Sequence, residues 1–263
     1  MISTFHSIAL GIVQGLTAFL PVSSEAHLIL VPWLMNWTDQ GLAFDLAALH
    51  LGTLMALLIY YWREWLDMGL SLASGREMPR RLLFLLIIGT IPAAVAGALL
   101  QKEAETLFRS PLLIAATLAI FGILLGLADK ISARNRPLEE INLRDALVIG
   151  LSQALAIIPG VSRSGITITA ASLLGLDREA AANFSFLMAG PIVAGAVMLE
   201  LHKMIHAHLD AQLGWGFAAS AIFGVLAIAA LLKFLRTRTY QPFAIYRVAL
   251  AVIVAAVWLV RLA

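Results

Sequence analysis

"GIVQGLTAFLPVSSEA", from Gly11 to Ala26, aligns without a gap on "GLSQALAIIPGVSRSG", from Gly150 to Gly165. A glycine, a glutamine, a leucine, a valine and a serine coincide, and the proline is displaced by one position. In each stretch proline and glycine interrupt an apolar run, and small polar residues follow. The repetition predicts two related halves, each of which contains one broken helix.

The rest of the chain has the composition of a membrane protein. Of its 263 residues 61% are hydrophobic and 13% charged, whereas a soluble domain carries roughly 25% charged residues. The absence of cysteine excludes disulfides, thiolate metal sites and cysteine nucleophiles. The net charge is +2, and no basic run resembles a nucleic-acid patch, so we expect no nucleic-acid partner. Six stretches are long enough to be helical crossings, which need about 20 apolar residues: residues 44–62, 82–100, 111–128, 184–201, 215–232 and 243–260.

The two broken stretches are interpreted as re-entrant segments, because broken backbone at membrane depth is tolerated only where protein or a wet cavity satisfies it. Three crossings follow each break, and three is odd, so the second half enters from the opposite side. The sequence therefore predicts an all-α polytopic membrane protein with six transmembrane helices plus two re-entrant helical segments in an inverted-topology repeat. We expect a single membrane domain over residues 1–263, with repeat halves at about 1–135 and 140–263.

The basic residues predict the orientation. Most fall in loops on one side of the predicted bundle, and the positive-inside rule makes that side cytoplasmic. The first re-entrant segment then opens outward and the second opens to the cytoplasm. The loop residues on the cytoplasmic side are Arg63, Arg76, Arg80, Arg81, Lys130, Arg134, Arg136, Arg144, Arg178, Lys233, Arg236 and Arg238.

Arg163 is the most informative single residue. An arginine at the bilayer centre costs roughly 2.5–3.5 kcal/mol on insertion scales. A snorkelling side chain or a structural ion pair would explain it without function. The functional interpretation is a fixed guanidinium that binds an anion, with Gly160, Ser162, Ser164 and the backbone amides of the next helix holding phosphate oxygens.

The first break supplies Ser23, Ser24, Glu25 and His27. If a helix resumes after Pro21, Ser24 and His27 lie three apart on one face. A hydroxyl beside an imidazole is the minimal arrangement for a nucleophile and a base. The alternative is that the serines cap the helix and His27 is a hydrogen-bonded core residue.

Two further groups of polar residues are open to functional and structural interpretations. Gln14 and Gln153 are equivalent in the repeat, and each could orient a ligand or a metal's water, although an interhelical hydrogen bond is the commoner role. A second group has spacing that could bind a metal, but a solvated terminal turn is favoured. Its members are Glu200, His202, His206 and His208.

Two classes of function fit these residues. On architecture alone, inverted repeats, broken helices and a midplane arginine favour a transporter of anions or a flippase for a lipid carrier. A phosphatase is the alternative, because the two breaks together would supply a nucleophile, a proton acceptor and a charge clamp.

The chain resembles the undecaprenyl-diphosphate phosphatase family, also called bacitracin-resistance proteins, over nearly its whole length. The resemblance rests on "GLTAFLPVSSEAHL", "FDLAALHLGT", "PGVSRSG", "FSFLMAGP" and "PFAIYR". It implies removal of the terminal phosphate of a polyprenyl diphosphate lipid, at the outer face of the bacterial inner membrane, to recycle the carrier for cell-wall synthesis. This ranks hydrolysis above transport. The oligomeric state stays open, a homodimer being one candidate.

By the same resemblance, Ser24 and His27 act in catalysis and Arg163 holds the diphosphate. The order of events stays open: Ser24 attacks phosphorus, or His27 acts directly or through a water. Gln14 is the first member of the family's Glu/Gln-x-x-x-Glu motif, which is associated with a divalent cation, Mg²⁺ or Ca²⁺. The second glutamate of that motif falls on Ala18. Three interpretations follow: Glu25 restores the carboxylate, the chain is weakened or inactive, or the chain was altered deliberately.

Overall fold

The computed structural model describes residues 3–37, 42–205 and 211–262, and these residues form eleven α-helices. The prediction of an all-helical polytopic membrane protein is confirmed at that level. The helices are α1 (Thr4–Phe19), α2 (Ser24–Met35), α3 (Leu42–Tyr60), α4 (Trp62–Ser74), α5 (Glu77–Thr106), α6 (Pro111–Ile131), α7 (Leu143–Ala154), α8 (Arg163–Leu173), α9 (Arg178–Ile205), α10 (Ala211–Leu235) and α11 (Gln241–Leu262).

Five helices are long and apolar enough to cross a membrane within the described ranges. They lie in α5, α6, α9, α10 and α11, and they coincide with five of the six predicted crossings. The sixth prediction, residues 44–62, overlaps the 19-residue α3, of which the stretch Ala48–Tyr60 is apolar but short of a full span. Helix α9 is the most enclosed of the five, with 61% of its span buried, so it forms the centre of the bundle.

The first broken stretch folds as a helical hairpin, α1–α2. Helices α1 and α2 have 16 and 12 residues, fewer than the ~20 that a crossing requires. The ring of His6, near the start of α1, stacks on that of Trp37, just past α2, with centroids 3.9 Å apart. The chain therefore returns to the level at which it began.

The second broken stretch, α7–α8, is also a hairpin, and Arg136 closes its open end. The Arg136 guanidinium donates to the Leu174 carbonyl at 2.8 Å and to the Asp145 carboxylate at 2.6 Å. Asp145 lies in the first turn of α7, and Leu174 caps the end of α8. The hydrogen bond to Asp145 raises the pKa of Arg136 above its ordinary value, which keeps this closure charged.

Helix α11 shows that the two hairpins open at opposite ends of the bundle. Near its end Arg261 donates to the Trp33 carbonyl, at the open end of the first hairpin, over 2.9 Å. Just before its beginning, the Tyr240 hydroxyl donates to the carbonyl of Arg178, shortly after the second hairpin, over 2.8 Å. A helix of 22 residues is about 33 Å long. The open ends are thus separated by roughly the thickness of a bilayer core.

Equivalent glycines let each hairpin pack closely on a long helix. A Cβ on Gly11 would overlap the Gly216 carbonyl of α10, and a Cβ on Gly150 would overlap the Gly89 carbonyl of α5. Gly11 and Gly150 are the first residues of the two aligned stretches. The same close contact therefore holds both hairpins in place.

The Gly150→Ala variant should lower the free energy of unfolding by about 1–3 kcal/mol, because the added methyl group forces α7 away from α5. Reversible unfolding in detergent micelles measures the change. Gly97→Ala is the matched control on α5, where a Cβ meets nothing within 4 Å and alanine favours the helix by about 0.5–1 kcal/mol. Equal stability of the two variants would contradict the packing described.

Candidate functional site

Each hairpin tip contains a serine in a left-handed backbone conformation. Ser23 has φ 75° and Ser162 has φ 71°, a region that strains any residue except glycine by about 1–3 kcal/mol. Each serine caps the helix that follows it, since Ser23 Oγ accepts from the Ala26 amide and Ser162 Oγ from the Gly165 amide. Glycine would relieve the strain but would lose the cap. The cap therefore explains why serine occupies this position in both halves.

The two tips contact each other directly. The Gly160 amide donates to Ser23 Oγ at 3.1 Å, and Ser164 Oγ donates to the Leu20 carbonyl at 3.1 Å. The N-termini of α2 and α8 consequently converge on each other. Each carries the positive end of a helix dipole, so the junction favours an anion.

Arg247, on α11, joins both tips. It is fully buried, at 0% exposure. Its Nη2 donates to the carbonyls of Gly160 and Val161, at 2.7 and 2.8 Å, and its Nη1 donates to the carbonyl of Pro21 at 3.4 Å. These carbonyl dipoles offset the cost of the buried charge. Arg247 is thus a positioning residue that fixes one tip against the other.

Arg163 and Glu25 bring opposite charges to the junction. Arg163 is half-buried at the first position of α8, and its buried Nη1 has no hydrogen-bond partner among the described residues. Glu25 is exposed in the first turn of α2, and its charge interacts with those of Arg109 and Arg163. No Glu25–Arg163 ion pair forms within 4.0 Å in the described structure. The guanidinium therefore keeps donors available for a ligand.

Ser24 and His27 lie on the same helix but are not hydrogen-bonded to each other in the described structure. His27 is buried, and its two ring nitrogens contact the Ser23 carbonyl and the Tyr246 hydroxyl, both at 2.7 Å. Ser24 is half-buried at the first position of α2. The expected hydroxyl–imidazole pair is therefore present in one site without direct contact.

Gln14 and Ala18 precede the first tip on α1. Both are buried, and Gln14 Oε1 has no hydrogen-bond partner in the described part of the chain. Ala18 belongs to the main hydrophobic cluster. Across residues 3–37, 42–205 and 211–262, no three His, Cys, Asp or Glu side chains cluster. The Gln14 amide oxygen and the Glu25 carboxylate are oxygen ligands of the chemical type that a hard cation such as Mg²⁺ takes together with phosphate and water.

The structure brings most of the predicted site residues together at the two tips. The residues at the junction are Ser23, Ser24, Glu25, His27, Gly160, Ser162, Arg163 and Ser164, and Gln14 lies two turns before it on α1. The predicted group at the end of a crossing lies outside the described side chains; its members are Glu200, His202, His206 and His208. Tyr246 and Arg247 both stand in the "PFAIYR" stretch. From the sequence alone, a pairing within the bundle is the prediction for Arg247, and Tyr246 has no predicted role.

Comparison with known proteins identifies the family. The model of the bacitracin resistance protein BacA family matches residues 7–253. A protein of Moorella thermoacetica named undecaprenyl-diphosphatase is 49% identical over 260 residues, which is 98% of this chain and 99% of that protein. Proteins of the same name from Pelotomaculum thermopropionicum and Geotalea daltonii are 47% and 48% identical, over 97% and 94% of this chain and 97% and 95% of their own lengths. The chain belongs to the bacitracin resistance protein BacA family.

Replacing Arg247 by methionine should lower the free energy of unfolding by about 2–4 kcal/mol, because the buried carbonyls of Gly160 and Val161 lose their donor. Arg261→Met is the matched control on the same helix. Arg261 also donates to backbone carbonyls, but it is exposed, and its loss should cost about 1 kcal/mol or less. Thermal unfolding in one detergent compares them, and similar losses for both would refute the tip-joining role of Arg247.

Proposed function

We propose that this protein is an undecaprenyl-diphosphate phosphatase, which hydrolyses undecaprenyl diphosphate to undecaprenyl phosphate and inorganic phosphate. The single observation that carries the proposal is the junction of the hairpin tips, where two helix N-termini and the unpaired Nη1 of Arg163 meet a serine and a histidine. The relatives named undecaprenyl-diphosphatase, at 47–49% identity, support the same reaction. Bacitracin resistance would follow from removal of the lipid diphosphate.

We further propose that the two hairpins are re-entrant segments and that α3, α5, α6, α9, α10 and α11 are the six crossings of one membrane domain. The closed ends of the hairpins would then lie near the midplane, as in inverted-repeat proteins. The positive-inside rule would place the opening of the first hairpin, and with it the active-site cavity, on the periplasmic side of the inner membrane. The polar tips would line a wet pocket in which a lipid-borne diphosphate meets water.

In the proposed reaction, Arg163 and the amides of α2 and α8 hold the diphosphate and stabilise the charge that develops on the transferred phosphoryl group. Ser162, Ser164, Ser23 and Gly160 shape the backbone that presents those amides. Ser24 or a water attacks the terminal phosphorus, and His27 accepts the proton. A divalent cation, held by Gln14 and Glu25 together with the substrate, would neutralise phosphate oxygens when bound.

We propose that Glu25 supplies the carboxylate that the family motif would place at residue 18. Ala18 is buried in an apolar cluster, whereas Glu25 is exposed at the tip and interacts with Arg163. A carboxylate in the first turn of α2 is also favoured by the helix dipole. The chain would therefore be active despite Ala18.

Purified protein should release phosphate from a short-chain prenyl diphosphate in the presence of Mg²⁺ or Ca²⁺. The Arg163→Ala variant should lower kcat/KM by about 10²–10³-fold, because one preorganised donor to the phosphoryl group is lost. Malachite-green detection of phosphate, with each cation and with chelator, measures both. Arg144→Ala, exposed at the far end of the same hairpin, is the control. Lack of release under every metal condition would exclude hydrolysis and leave transport of the lipid carrier as the rival.

Glu25→Gln should lower phosphate release by about 10²-fold, because the amide has nearly the same shape but neither accepts a proton nor carries the negative charge that attracts a cation. Glu140→Gln, a carboxylate exposed in the loop before α7, serves as the control. The Ala18→Glu variant is assayed beside them. Wild-type rates for Glu25→Gln, or a large gain for Ala18→Glu, would show that Glu25 does not substitute.

A further inference from the structure

The hydrogen bonds of His27 define its tautomer. Its Nδ1 lies 2.7 Å from the Ser23 carbonyl oxygen. A carbonyl can only accept, so Nδ1 must carry the proton. A neutral imidazole has one N–H group, and Nε2 is therefore the acceptor for the Tyr246 hydroxyl, 2.7 Å away. The lone pair of the candidate base thus points at a phenol.

Tyr246 extends from this buried imidazole to the protein exterior. His27 is 7% exposed and Tyr246 is 44% exposed. Their rings are nearly parallel, with 6° between the planes and 5.7 Å between the centroids. The half-exposed Tyr246 side chain therefore lies between the buried His27 ring and the protein surface.

The repeat indicates that the fold does not require a tyrosine here. "SPLLIA", from Ser110, corresponds to "QPFAIY", from Gln241, and this places Ala115 at the position equivalent to Tyr246. Ala115 is buried in an apolar cluster beside Ala26 and Leu118. The first half therefore has alanine at the equivalent position, and the tyrosine occurs on α11, where its hydroxyl contacts His27.

We propose that Tyr246 is a positioning residue of the reaction. It holds His27 as the Nδ1–H tautomer, and its hydroxyl carries protons between His27 Nε2 and the cavity. The proposal rests on the proposed phosphatase function. A phenol can donate to neutral Nε2 and accept from imidazolium Nε2–H. During the attack, the proton of the attacking hydroxyl or water passes to the phenol oxygen as the phenol proton passes to Nε2. After turnover the relay runs in reverse and delivers one proton to water. One proton is transferred, and the tyrosine ends unchanged.

Tyr246→Phe removes the hydroxyl and keeps the ring, so kcat should fall by about tenfold or more with KM changed less than about twofold. Tyr61→Phe is the control, since the hydroxyl of this buried tyrosine donates to Asn183, which is not one of the site residues. In a His27→Asn background, Tyr246→Phe should cause less than about a twofold further loss, because the tyrosine acts through His27. The proposal would be overturned if the losses in kcat from Tyr246→Phe and His27→Asn multiply in the double variant, or if Tyr246→Phe changes KM alone.

A second readout needs no turnover. In two-bond ¹⁵N–¹H spectra of histidine-labelled protein, the signal lost in His27→Asn should show the Nδ1–H tautomer. In Tyr246→Phe the ¹⁵N chemical shift of His27 Nε2 should move toward the value of an imidazole nitrogen that accepts no hydrogen bond. An Nε2–H tautomer in the wild type would overturn the inference even if the enzyme is active. Absence of phosphate release with the expected spectra would instead refute the phosphatase function and leave the positioning of His27 intact.

Discussion

The site depends on the hydrogen bonds from the Arg247 guanidinium to carbonyls of both hairpin tips. A buried charge is costly unless dipoles surround it, and here the carbonyls of Pro21, Gly160 and Val161 supply them. These carbonyls become available because the helices are broken at those residues. The breaks and the arginine therefore explain each other: each leaves a polar group that the other satisfies.

This junction concentrates positive potential in a largely buried part of the protein. The N-termini of α2 and α8, Arg163 and Arg247 all contribute, and Glu25 is the carboxylate set against them. In a medium of low dielectric constant an excess of positive charge produces a strong potential. A ligand with several negative oxygens would balance this charge. The strained conformations of Ser23 and Ser162 fit this interpretation, since strain concentrates where a backbone must present groups to a ligand.

The features of the fold that could be predicted from the sequence are those that neighbouring residues determine. Proline and glycine marked both breaks, and the gapless alignment matched Ser23 with Ser162, which share one backbone conformation. Five predicted crossings coincide with helices long and apolar enough to span a membrane, because apolar length alone sets both. The contact of His27 with Tyr246 could not be predicted, since 219 positions separate them. Helical spacing placed Ser24 and His27 on one face but could not fix the direction of the imidazole. The one sequence signal for a role of Tyr246 is that the equivalent position in the other half of the repeat is Ala115.

The position of Arg247 late in the chain also determines the order in which parts of the site form during synthesis. Both hairpins are translated before α11, so the ribosome completes the two loops well before it makes the side chain that ties them. Until α11 enters the membrane, the exposed carbonyls of the tips must rely on water or on other parts of the translocating chain. The junction of the tips is therefore among the last features to form, and a nascent chain without α11 would have the motifs of both hairpins but no assembled centre.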